Sequence, residues 1–135
     1  MKVAISSLPQ SPWWGKGIIS YEDNPFMKNG MIPNQALLTK ERDNLINTLK
    51  KNKIEVIEFP FPEKLEKTTY GYDYVFIRDG FISDLNGKAL ILNFSQKHRQ
   101  PETKLIADHL EKLNYELEEL PTKDNIFAEG GEFYF

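Results

Sequence analysis

The sequence predicts an α/β fold, and three observations carry that expectation. Two segments with helical spacing of apolar residues each run into a short β-rich stretch, an Asn-Gly pair separates two further β-rich runs, and the two helix-strand segments match one another at a fixed offset. A length of 135 residues suits one ordinary domain. The chain has no cysteine, which excludes disulfides, thiolate metal sites and a cysteine nucleophile of its own. With 17 basic against 20 acidic side chains and no basic block, charge gives no reason to expect nucleic acid or an anionic membrane as the main partner. No apolar run approaches the roughly 20 residues of a membrane helix, and the start lacks the apolar core of a secretory signal, so a cytoplasmic protein is expected.

Met1 to Leu8 reads as a first strand. Pro9 to Asn34 is rich in Pro, Gly and Asn and keeps no period, which predicts a long loop in which Trp13 and Trp14 either anchor the chain on the core or shape a ligand pocket. Thr39 is placed to cap a helix running to about Asn52, with Leu45, Ile46 and Leu49 on one face and Lys50, Lys51 and Lys53 at its carbonyl end. Ile54 to Phe59 alternates as a strand, Pro60 and Pro62 end it, and residues 63–69 read as a solvated connection. Tyr74 to Leu85 and Lys88 to Phe94 are β-rich runs flanking Asn86-Gly87, the composition of a two-residue hairpin turn. Pro101 suits the first turn of a second helix reaching about Asn114, with Leu105, Ile106, Leu110 and Leu113 as its buried stripe. Tyr115 to Leu120 is again a strand, and Glu132 to Phe135 has strand composition, so the chain is expected to stop in mid-strand.

Residues 41–60 align without gaps on residues 102–121 at an offset of 61, with Glu41/Glu102, Leu49/Leu110, Lys51/Lys112, Glu55/Glu116, Glu58/Glu119 and Pro60/Pro121 identical. After a shorter loop in the second copy, Val75 to Phe81 meets Ile126 to Glu132. Arg78-Asp79-Gly80 and Glu129-Gly130-Gly131-Glu132 therefore end equivalent segments, each with an acid beside glycine. Two such acids converging would suit a planar cation such as a guanidinium; alone, each would equally serve as a turn acceptor. Arg99, just before the second helix, is placed to clamp a carboxylate or phosphate, to pair with Glu102, or to lie in solvent. His109 sits at the margin of the helical stripe and reads as packing, while His98 has no partner at a ligand spacing. No metal motif, P-loop or dinucleotide fingerprint occurs, so no cofactor is expected.

The order Phe76-Ile-Arg-Asp79, a hairpin, Arg99 with Glu102 at a helix start, and Glu129-Gly-Gly-Glu132 resembles the guanidino-group-modifying superfamily, the penteins: arginine deiminases, dimethylarginine dimethylaminohydrolases and amidinotransferases. The resemblance covers about residues 34–135. It implies a five-unit α/β propeller of which residues 1–135 form a single partial domain, with the loop over 9–34 and repeat units over 35–81 and 82–135. It further implies that Asp79 and Glu129 bind the guanidinium of an arginine-like small molecule and that Arg99 binds its carboxylate. The family's chemistry uses a cysteine thiolate and a histidine in later units, and neither is matched here. The expectation is the N-terminal portion of an amidinotransferase or guanidine hydrolase, inactive by itself. The alternatives are a non-catalytic guanidinium-binding module, or an interaction domain completed by a second chain through exposed strand edges.

Overall fold

The structure is a computed structural model that describes residues 1–13, 25–68, 71–84, 86–121 and 126–133. The chain divides into two compact units, Met1–Val75 and Phe76–Phe135. In the first, strand β1 (Lys2–Ser6) pairs in parallel with β2 (Glu55–Phe59), joined by a crossover that contains helices α1 (Pro25–Lys28) and α2 (Gln35–Lys51). Helix α3 (Glu63–Glu66) follows. Parallel strands need such a crossover, because no tight turn can reverse the chain twice. Ile46, Phe59, Leu65, Tyr72 and Tyr74 are buried here, and Phe61 meets Tyr74 edge to face at 5.7 Å.

In the second unit, β3 (Phe81–Ser83) pairs antiparallel with β4 (Lys88–Ile91), and β4 pairs in parallel with β5 (Glu116–Glu119) through helix α4 (Gln100–Lys112). Ala89 and Ile91 are buried on the helix-facing side of β4, and Ile106 and Leu110 are the buried members of the α4 stripe. Leu113 is more than a third exposed, as is Leu45 of the α2 stripe, so each stripe is narrower than its spacing suggests.

The offset of 61 survives as register. Glu55 and Glu116 each open a parallel strand and face a lysine across it, Lys2 at 3.5 Å and Lys88 at 3.4 Å. Each preceding helix ends in a residue of left-handed conformation, Lys53 (φ 61°) and Asn114 (φ 63°), which lie 61 positions apart. Such a residue turns the chain out of the helix and frees the last carbonyls to accept from the following amides.

Several local expectations are corrected. Helix α2 begins at Gln35, four residues before Thr39: the Asn34 side chain accepts from the Leu37 amide and caps it, while the Thr39 hydroxyl donates to the Gln35 carbonyl inside the helix. Residues 63–69 are not merely a solvated link, since α3 buries Leu65. The aromatic run from Tyr74 is not a strand. Gly71–Gly80 winds as 3-10 helix with a kink at Phe76, and only Phe81–Ser83 extends. The hairpin closes Asp84 on Lys88, three residues apart rather than two. Of that loop Leu85 lies outside the described residues, Gly87 takes a φ of +87°, and Asp84 Oδ1 accepts from the Asn86 and Lys88 amides. Gly130–Glu132 is likewise a 3-10 turn, and the expected strand beyond Phe133 lies outside the described residues. Trp13 is tied down by its indole N–H, which donates to the Tyr72 carbonyl at 2.9 Å; Trp14 falls outside the described residues. Among the described residues no helix is long and apolar enough to cross a membrane.

Candidate functional site

The acid-glycine segments of the second unit meet through their backbones. A Cβ on Gly130 would stand 1.9 Å from the Arg78 carbonyl oxygen, so only glycine allows the Glu129 turn to lie against the Arg78-Asp79 peptide. Gly80 is held as closely, its hypothetical Cβ falling 2.3 Å from Ile106 Cδ1. These approaches fix Asp79 at the end of the 3-10 segment and Glu129 at the head of the last turn. Glu132 Oε2 accepts from the Glu129 amide at 2.9 Å and secures that turn.

Both acids converge on Arg99. Its Nη1 donates to Asp79 Oδ2 at 3.0 Å and stands 3.6 Å from Glu129 Oε2. The opposite edge of the guanidinium grips Glu102, Nη2 at 3.0 Å and Nε at 3.3 Å from both carboxylate oxygens. The guanidinium carbon lies 4.2 Å above the Phe94 ring, a cation-π floor. Glu102 is wholly buried and Arg99 is 6% exposed, whereas Asp79 and Glu129 keep part of their surface. A carboxylate without solvent is tolerated only where a cation and hydrogen bonds replace its water. Arg99 is thus turned toward the chain's own carboxylates, and of the fates its sequence context leaves open, pairing with Glu102 is the one observed.

Above these acids opens a cavity of ≈ 250 Å³ lined by Asp79, Ser95, Phe127, Ala128, Glu129, Gly131 and Glu132. Burial raises the Glu129 carboxyl above its ordinary 4.5; the Arg99 charge opposes the rise, and the Asp79 and Glu132 charges add to it. Burial and then the Arg99 charge hold the His98 imidazole down to about 4. Burial, with Lys112, also lowers His109, which sits half-buried on α4. The wall therefore offers oxygen acceptors and one aromatic face, a surface made for a small cation. Phe94 was not marked by the sequence, although an aromatic five residues ahead of an Arg-x-x-Glu helix start is a usable signal.

Residues 20–135 match the family model of eukaryotic N,N dimethylarginine dimethylhydrolase. The chain belongs to that family. This dimethylarginine dimethylhydrolase family lies within the guanidino-group-modifying superfamily that the motif order resembles. A search of curated proteins found no match. Among solved structures, the fold is similar to unliganded AgrE, with a TM-score of 0.71 and 21% identity over 96% of this chain and 17% of that one. It is similar to the N-terminal domain of ArgZ bound to substrate, an arginine dihydrolase of the cyanobacterial ornithine-ammonia cycle, with a TM-score of 0.71 and 21% identity over 96% and 42%. It is similar also to the Pseudomonas aeruginosa dimethylarginine dimethylaminohydrolase complexed with citrulline, with a TM-score of 0.65 and 18% identity over 95% and 44%. The chain spans less than half the length of each of these structures.

Proposed function

We propose that this chain supplies the guanidinium-recognising part of a guanidine hydrolase or amidinotransferase, with Asp79 and Glu129 taking the cation of an arginine-like small molecule. One observation supports the reading above others: both carboxylates reach a single guanidinium nitrogen at the floor of a cavity whose wall includes Phe127. Carboxylates pair with the planar fork of a guanidinium through charge-assisted hydrogen bonds, and an aromatic face suits its delocalised charge. The substrate held by the ArgZ domain and the citrulline held by the Pseudomonas enzyme agree with a ligand of this class. The repeated helix-strand register, with its paired Lys-Glu contacts and left-handed helix ends, supports two units of a five-unit propeller. A cytoplasmic setting accords with the composition.

The chain has no cysteine, so covalent amidino transfer requires a nucleophile it does not carry. That count favours a second reading, a binding module or a domain completed through its strand edges by another chain. Titration calorimetry of the purified chain with L-arginine and N,N-dimethylarginine tests recognition. Binding is expected, with Asp79→Asn and Glu129→Gln each weakening it roughly tenfold or more, the scale of a lost hydrogen bond to a charge; absence of binding by either compound overturns the proposal. No citrulline is expected from either compound, and its appearance would overturn the inactive assignment.

A further inference from the structure

We propose that Arg99 is an internal positioning residue, gripped on one edge by Glu102 and floored by Phe94, which uses its remaining edge to fix the two acids of the cation site. The geometry divides the guanidinium into two halves. Nε and Nη2 are committed to Glu102, three residues along α4 and wholly buried, so the plane of the group is set from inside the unit. Phe94, 4.2 Å beneath, blocks rotation out of that plane. Nη1 is then the only nitrogen that reaches Asp79 and Glu129 in the measured contacts.

Asp79 consequently presents its oxygens differently. Oδ2 is held by Nη1, while Oδ1 lies on the Gly131 side, 3.9 Å from where a Cβ on that glycine would stand, and borders the cavity. One oxygen is tethered and the other faces a ligand. Glu129 is drawn to the same nitrogen at 3.6 Å, so a single cation sets the spacing of both acids. Glu102 acts through Arg99. A lysine could supply the charge of Arg99 but not its planar fork, so it would leave Asp79 and Glu129 without a shared donor. The role assigned to Arg99 is therefore distinct from binding a carboxylate on the ligand.

The identity of the cavity as a guanidinium site rests on the function proposed above, but the tether itself does not, and two readouts separate them. The first compares L-arginine with agmatine, its decarboxylated form, in calorimetry. Arg99→Lys is expected to weaken both by the same factor, roughly tenfold. A loss confined to L-arginine would assign Arg99 to the ligand's carboxylate and overturn the proposal.

The second needs no ligand: carboxyl carbon NMR titration of Asp79 and Glu129. Arg99→Lys should move both midpoints up, because the fork is lost. Glu102→Gln should move both down, because a competing negative charge on Arg99 is removed. Midpoints unmoved by either variant overturn the tether. Should the unmutated chain bind neither compound, the guanidinium reading fails while these midpoints still decide the tether. Should Arg99→Lys fail to fold by circular dichroism, Phe94→Leu takes its place, with a smaller upward shift expected and no shift counting against the tether.

Discussion

Gly130 and Gly131 adjoin in sequence but have different surroundings, and alanine at each should separate packing from ligand access. At Gly130 the new Cβ meets the Arg78 carbonyl at 1.9 Å, a clash with backbone that no rotamer relieves; Gly130→Ala should cost about 1–3 kcal/mol of stability in urea denaturation. At Gly131 the nearest atom is 3.9 Å away, so Gly131→Ala should leave the denaturation midpoint within the scatter of repeat measurements. The His98 imidazole gives a pH prediction. Its folded value near 4 lies below the ordinary 6.5, so the unfolded chain binds more protons in that interval. Its stability contribution is present above 6.5 and is lost as pH falls toward 4. His98→Gln should flatten this loss in urea titrations at several pH values. Glu129 has the opposite sign. Its raised carboxyl favours the folded chain while protonated, and that advantage fades as pH climbs through 4.5 to the raised value. A cationic ligand needs the ionised form, so L-arginine affinity should strengthen over the same climb and lose that dependence in Glu129→Gln. Asp79 and Glu129 were legible in the sequence because acid beside glycine recurs at matched places. The setting of Arg99 was only partly legible: its spacing to Glu102 allowed pairing, but burial and the Phe94 floor depend on tertiary packing that spacing does not encode.

The helix ends make predictions at the scale of elements. Lys53 and Asn114 occupy left-handed positions that cost a side-chain-bearing residue about 1 kcal/mol, less for asparagine. Lys53→Gly should stabilise by about 0.5–1 kcal/mol and Asn114→Gly by less, read as paired shifts in urea midpoint. At the other end of α2, Asn34→Ala should cost about 1 kcal/mol because the Leu37 amide loses its acceptor, whereas Thr39→Ala should cost less. The helices and parallel strands were readable from period alone, since apolar spacing and the shared offset act locally. The 3-10 segment was not. Tyr74, Val75, Phe76 and Ile77 have strand composition, yet the segment buries Tyr74 and Ile77 and ends at Gly80 packed under Ile106. Tertiary burial outweighed β propensity there, as it commonly does for short apolar runs.

For the molecule as a whole, the division at Val75 and Phe76 matters because every side chain of the Arg99 cluster belongs to the second unit. Hydrogen exchange should therefore show ligand-induced protection within Phe76–Phe135, with L-arginine leaving Met1–Val75 near its ligand-free rates. Protection spread evenly over both units would contradict that. The buried Arg99-Glu102 pair also bears on the order in which the chain is made. Asp79, Arg99 and Glu102 leave the ribosome before Glu129, so a nascent chain can close its inner ion pair while the outer acid is still being synthesised. The last turn then docks onto a cation already aimed at it, and the cavity comes into being only with the final residues of translation.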